Sequence, residues 1–156
     1  DLVANYPGAS LALANHIDDV SAILQVVRAT DATNRTTTST SFVDVTGMSV
    51  TITPTLATSE ILLIVSYVGQ NANNDYGYVQ ITTSGNAAIS GAEQNLFGGT
   101  NFTAAHYNNV CVGYASPATT SAVTYKTRFK SAFGGSISFL NSSRSTAQMF
   151  AIEVSA

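Results

Sequence analysis

A chain of 156 residues fits one domain, and at that length folding removes roughly 70% of the unfolded chain's accessible surface, enough for a proper core. Only 10% of the residues are charged, and six basic against nine acidic residues leave a net charge of −3 with no basic tail, which argues against nucleic acid as a partner. The strongest apolar run, residues 61–65, is far short of the ~20 that span a bilayer, no membrane-surface patch stands out, and the single Cys111 excludes an intramolecular disulfide and a multi-cysteine metal site.

The chain opens at Asp1 without an initiator Met, and residues 2–14 lack the basic region of a signal peptide, so the expectation is a processed chain or a segment of something longer. Pro7-Gly8 is a turn signal within an N-terminal arm. Leu13, Ile17, Val20 and Leu24 then recur at helical spacing, which predicts a short amphipathic helix, packed on the domain or serving as a stem between protomers. Residues 1–22 are accordingly assigned to attachment or assembly, and 23–156 to a single β domain.

Residues 23–29 are rich in β-branched side chains and predict the first strand. Residues 36–45 alternate, Thr46-Gly47 predicts a turn, and Met48, Val50 and Ile52 share one face of a strand that Pro54 ends. In residues 61–68, Ile61, Leu63, Val65 and Tyr67 interleave with Leu62, Ile64, Ser66 and Val68, so both faces of this strand require burial. A polar loop at 71–75 leads into a strand over 76–83. Residues 84–103 carry only weak strand signals, around 87–90 and 94–97.

Further strands are expected over 106–115, over 122–132 with Val123, Tyr125 and Phe129 inward and Lys126, Arg128 and Lys130 outward, over 136–140, and over 146–154. The spacing of turn signals, with no long helix between them, predicts an all-β fold, an antiparallel jelly-roll-like β-sandwich of about 8–10 strands with a short N-terminal arm or helix.

The catalytic search is empty. His106 and Cys111 sit five apart on one strand and so face opposite ways, His16 with Asp19 makes a surface pair one helical turn apart, and Glu60, Glu93 and Glu153 are widely separated. No nucleophile elbow, phosphate loop or metal-binding spacing occurs, so neither enzyme activity nor a cofactor is expected. Two surface features remain. Asn73, Asn74 and Asp75, with Tyr76, Tyr78 and Tyr107 beside polar loops, are candidates for stacking on and hydrogen-bonding to a host-surface glycan. Lys126, Arg128 and Lys130 are candidates for holding an anionic one, against the plainer reading of a solvated strand face.

The strings ILQVV, TTTSTSFVDVTGMSVTITPTLATSEILLIV and RSTAQMFAIEVSA resemble a domain of tailed-bacteriophage virion proteins, chiefly tail-fibre C-terminal domains and head fibres, over residues 23–156. That family is similar to the trimeric jelly rolls of the tumour-necrosis-factor and C1q kind. The resemblance implies a homotrimer on the virion surface, non-enzymatic, either decorating the capsid or carrying host-binding loops, with the N-terminal arm contacting other virion proteins. So short an arm suits capsid decoration or a head fibre at least as well as a tail tip. The two-faced strand points to assembly independently, and Ile61, Leu63, Val65 and Tyr67, with Phe150 and Ile152 of the last strand, are the candidates for the trimer interface. The alternatives are a stand-alone carbohydrate-binding module and a subunit of an extracellular filament.

Overall fold

In a computed structural model the described residues are 22–71, 74–99, 105–140 and 145–155. The N-terminal arm and most of the helical stripe lie outside them. Leu24, the last member of that stripe, falls instead in strand β1 (Ile23–Asp31), where the β-branched run prevails over the 3.6-residue spacing.

Ten strands follow one another without a helix among the described residues: β1, β2 (Arg35–Thr37), β3 (Val43–Ile52), β4 (Glu60–Asn71), β5 (Asp75–Thr83), β6 (Asn95–Gly99), β7 (His106–Ala115), β8 (Val123–Ser131), β9 (Ile137–Leu140) and β10 (Ala147–Val154). They form two antiparallel sheets. In the second the order is β3-β8-β5-β6. In the first, the 12-residue β4 is the centre: β7 runs along one edge, and the other edge pairs β10 over its first half and β9 over its second, with β1 and β2 extending these outward.

The principal strands are thus ordered β1-β10-β4-β7 facing β3-β8-β5-β6, and consecutive members change sheet at every step except β5 to β6. That is the interleaved double Greek key of a jelly roll. The predicted class stands, and the strand order supplies the topology that turn spacing alone had left general.

Two local expectations are corrected. Thr46-Gly47 is not a hairpin turn: Gly47, at φ 92°, lies in a bulge inside a continuous β3, where the register jumps from Asp44–Arg128 to Ser49–Lys126. The extra residues let Val45 and Met48 both point inward although three apart. The run 36–45 is likewise not one strand, because β2 ends at Thr37 and β3 starts at Val43, with Ser39 and Ser41 bonded to each other between them.

The core lies between the sheets and is threaded by rings. Tyr67 stacks on Phe139 (4.4 Å between centroids), Phe129 meets Phe139 edge-on, and Phe97 meets Tyr67 edge-on. Phe97 enters a slot that only glycine leaves open: a Cβ on Gly77 would sit 2.0 Å from its ring, and one on Gly69 2.5 Å away. A buried carboxylate fastens one end. Glu153 accepts hydrogen bonds from Gln25 Nε2 (2.5 Å), the Thr55 and Leu56 amides (2.6 and 3.3 Å) and Thr55 Oγ1 (3.0 Å), tying the β3–β4 loop to β1 and β10. Burial acts to raise its pKa, but these donors outweigh it and hold the group at about 2.

Candidate functional site

The residue types that carry nucleophilic or acid–base chemistry are placed apart. Cys111 is buried on the inner face of β7, where desolvation first and then the charge of Glu93 push its thiol up to about 11, the reverse of an activated thiolate. His106 projects from the outer face of the same strand, where its Nε2 lies 3.1 Å from Gln70 Nε2. Among the described residues no group of three His, Cys, Asp or Glu side chains is placed to hold a metal ion.

The outer face of the first sheet carries an apolar centre. Pairing registers set its side chains in rows across β7, β4, β10 and β1: Tyr114, Leu62, Ile152 and Val26 in one, then Val112, Ile64, Phe150 and Arg28, then Val110, Ser66, Gln148 and Thr30. Val26 and Val110 are each 54% exposed, and Tyr114 49%, while the central Leu62, Ile64, Phe150 and Ile152 are half-buried. At about 4.8 Å between strands and about 6.8 Å between rows, the eight adjoining apolar positions of these rows cover roughly 260 Å². An apolar centre of that size edged by Arg28, Ser66, Gln148 and Thr30 has the anatomy of an interface, an apolar core within a polar rim.

The proposed interface set divides on this geometry. Phe150 and Ile152 lie on the outer face. Ile61, Leu63, Val65 and Tyr67 do not: they are the inward residues of β4, fully or nearly fully buried between the sheets, and are taken up by the protomer's own core. The strand is apolar on both faces as the sequence indicates, but alternation makes Leu62 and Ile64 the residues left on the outer face, with Val110, Val112 and Tyr114 of β7.

The outer face of the second sheet is different. Lys126, Arg128 and Lys130 line β8 as expected, and Asp44 of β3 accepts from Lys126 Nζ (2.8 Å) and Arg128 Nε (3.0 Å), which lowers the Asp44 pKa. Arg128 Nη2 also donates to the Phe42 carbonyl oxygen. Lys130 belongs to none of the ion pairs among the described residues; its Nζ lies 4.9 Å from the Phe42 ring centroid and 5.3 Å from that of Tyr78. Tyr76, two residues before Tyr78 on the same face of β5, meets Phe133 edge-on at 5.8 Å, and Phe133 is 70% exposed.

Of the glycan candidates, then, Tyr76, Tyr78 and the three cations share a face, joined by Phe42, which the alternation of 36–45 sets on the side of Asp44, and by Phe133, which no periodicity marked. The others are not on it. Asp75 is buried: its carboxylate accepts from Ser131 Oγ (2.6 Å) and the amides of Tyr76 (2.7 Å) and Phe133 (3.1 Å), so its oxygens are spent on holding the 131–135 turn. Burial tends to raise its pKa, but the donors prevail and lower it. Tyr107 packs inward against the core with its hydroxyl buried. Asn74 sits at φ 54° immediately before β5, and Asn73 lies outside the described residues.

No family model matches the chain, and no curated protein does. Among solved structures it is similar to the VP2 protein of infectious bursal disease virus: a D431N mutant VP2 in derived T=1 particles (8% identity, TM-score 0.44), the VP2 subviral particle (11%, 0.43) and the T13 viral particle (10%, 0.43). The likeness covers 85% of this chain but only 36–37% of those chains, so the chain spans about a third of the length of the proteins it matches. At these values the likeness adds nothing to what the strand order already establishes about the fold.

Proposed function

We infer that the protein is a non-enzymatic structural component of a phage virion surface, a homotrimeric jelly roll acting as a capsid decoration or head-fibre protein or as the host-binding end of a tail fibre. The observation that carries this reading is the apolar outer face of the first sheet, which nothing covers among the described residues. In a chain with so few charges, such a face is a liability unless copies bury it. In a closed ring of three, each protomer meets two neighbours through different surfaces. The β7 side of the face, with Val110, Val112 and Tyr114, then packs on the β1–β10 side of the next protomer, with Val26, Phe150 and Ile152. The resemblance of 23–156 to tail-fibre and head-fibre domains supplies the setting, and residues 1–22 are free in this scheme to engage other virion proteins.

The test is the mass in solution. The reading requires three times the 16.2 kDa protomer mass; a strict monomer overturns the trimer. A second reading, a stand-alone carbohydrate-binding module, is favoured by the aromatic and cationic side chains on the opposite sheet, and a monomer that binds sugar would establish it in place of the first.

A further inference from the structure

The 131–135 turn holds a large apolar ring in solvent without being loose. Asp75, fully buried, accepts from the Phe133 amide, and Ser131 Oγ, which donates to Asp75, accepts in turn from the Gly134 amide (2.7 Å). Gly135 packs so closely on the same carboxylate that a Cβ there would lie 2.6 Å from Asp75 Oδ2. The ring of Phe133 is therefore presented, braced edge-on by Tyr76, rather than left over from packing. A side chain ordered before a ligand arrives gives up less entropy on binding.

Beside this ring stands the charge. Three cations and one exposed carboxylate, Asp44, leave the face with a net positive charge in a chain whose total is −3. The surplus centres on Lys130, whose companions are the Phe42 and Tyr78 rings, and rings attract an ammonium without neutralising it. Tyr76, which Phe133 meets, and Tyr78, which Lys130 Nζ approaches, are two residues apart on one strand, about 7 Å along the sheet, so ring and charge stand on neighbouring positions of one face. Leu96, the cross-strand partner of Tyr78 on β6 and 51% exposed, extends the apolar floor.

We propose that this ledge binds an acidic saccharide, its carboxylate on Lys130 and the apolar face of an adjacent sugar on Phe133 and Tyr76. A nucleic acid strand also combines anions with flat rings, but binding there scales with the number of phosphates neutralised, and two of the three cations already share Asp44. The inference does not depend on trimer formation and applies equally to a monomer.

The experiment titrates the full chain with sialyllactose and with a hyaluronan hexasaccharide, using lactose and a dT decamer as controls, and follows saturable binding by calorimetry. At least one acidic oligosaccharide is expected to bind at least about tenfold more tightly than lactose, as the loss of a charge-assisted contact implies. Lys130→Gln and Phe133→Ser, both surface changes, are each expected to weaken that binding by about tenfold. Oligomeric mass and thermal midpoint should be unaffected, which separates failure here from failure of the assembly reading. Absence of binding by both acidic sugars, equal binding of lactose, binding of the dT decamer at least as tight, or unchanged binding by both variants would each overturn the proposal.

Discussion

Replacing Glu153 with Gln removes one buried charge held by several hydrogen-bond donors. The carboxylate accepts from two backbone amides, one side-chain amide and one hydroxyl, so a Gln in its place must turn its own NH₂ toward a donor and leave at least one of these groups unpaired. The gap between a folded-state value of about 2 and the ordinary 4.5, at about 1.36 kcal/mol per pH unit, corresponds to about 3 kcal/mol of stability at neutral pH. Because the folded value is the lower one, this contribution is complete above about 4.5 and is lost as the pH falls through about 2. Urea unfolding of wild type and Glu153→Gln at matched protomer concentration, from neutral pH down to pH ~2, should therefore show a gap of about 3 kcal/mol that narrows on acidification and nearly closes at the acid end. A gap that stays constant with pH, or is under about 0.5 kcal/mol at neutral pH, would refute the assignment of Glu153 as an ionised latch.

Three further outcomes are expected. Gly77→Ala collides with the Phe97 ring and should cost about 1–3 kcal/mol, with thermal unfolding showing partial recovery in the Gly77→Ala, Phe97→Leu double variant; an additive double variant would show that the slot is not the cause. Leu63→Ala empties a fully buried site and should cost about 2–5 kcal/mol in urea unfolding while leaving the oligomeric mass of the folded protein unchanged. Asp75→Asn should cost about 1–3 kcal/mol and reduce hydrogen-exchange protection at the Phe133 and Gly134 amides. Since the Asp75 pKa is lowered in the folded state, its stabilisation too is present at neutral pH and fades on acidification.

Alternation read directly from the residues placed most of the sandwich. The inward set Tyr125 and Phe129, the pairing-competent run at 147–154 and the stop at Pro54 are visible because a strand with one buried face has period two and no other element here competes with it. What failed failed locally. Gly47 signals a bend, and only the partner strand decides whether a bend becomes a hairpin or a bulge. Leu24 fits a helical stripe until Val154 and its neighbours supply β1 with a partner.

The site was legible in half. That β4 is apolar on both faces follows from sequence, but which face the core takes depends on register against β7 and β10, so Leu63 and Leu62 exchange roles once the sheet is built. Phe42 shares the side of Asp44 by alternation, but its place over Lys130 needs the β3–β8 pairing, and Phe133 carried no signal, being an isolated ring in a turn that the β5–β8 pairing brings beside Tyr76. Asp75 read as a loop ligand because a lone carboxylate among asparagines is indistinguishable in sequence from one that buries itself under a turn.

The central claim is that the outer face of the first sheet, and not the inner residues of β4, joins the protomers. Native mass determination of wild type beside Ile64→Lys and Val112→Lys tests it most directly, both substitutions placing a charge on that face with the core untouched. The account predicts a trimer for the wild type and folded monomers, with an unchanged β-sheet circular dichroism spectrum, for both variants. A monomeric wild type, or trimers that survive both lysines, would contradict it.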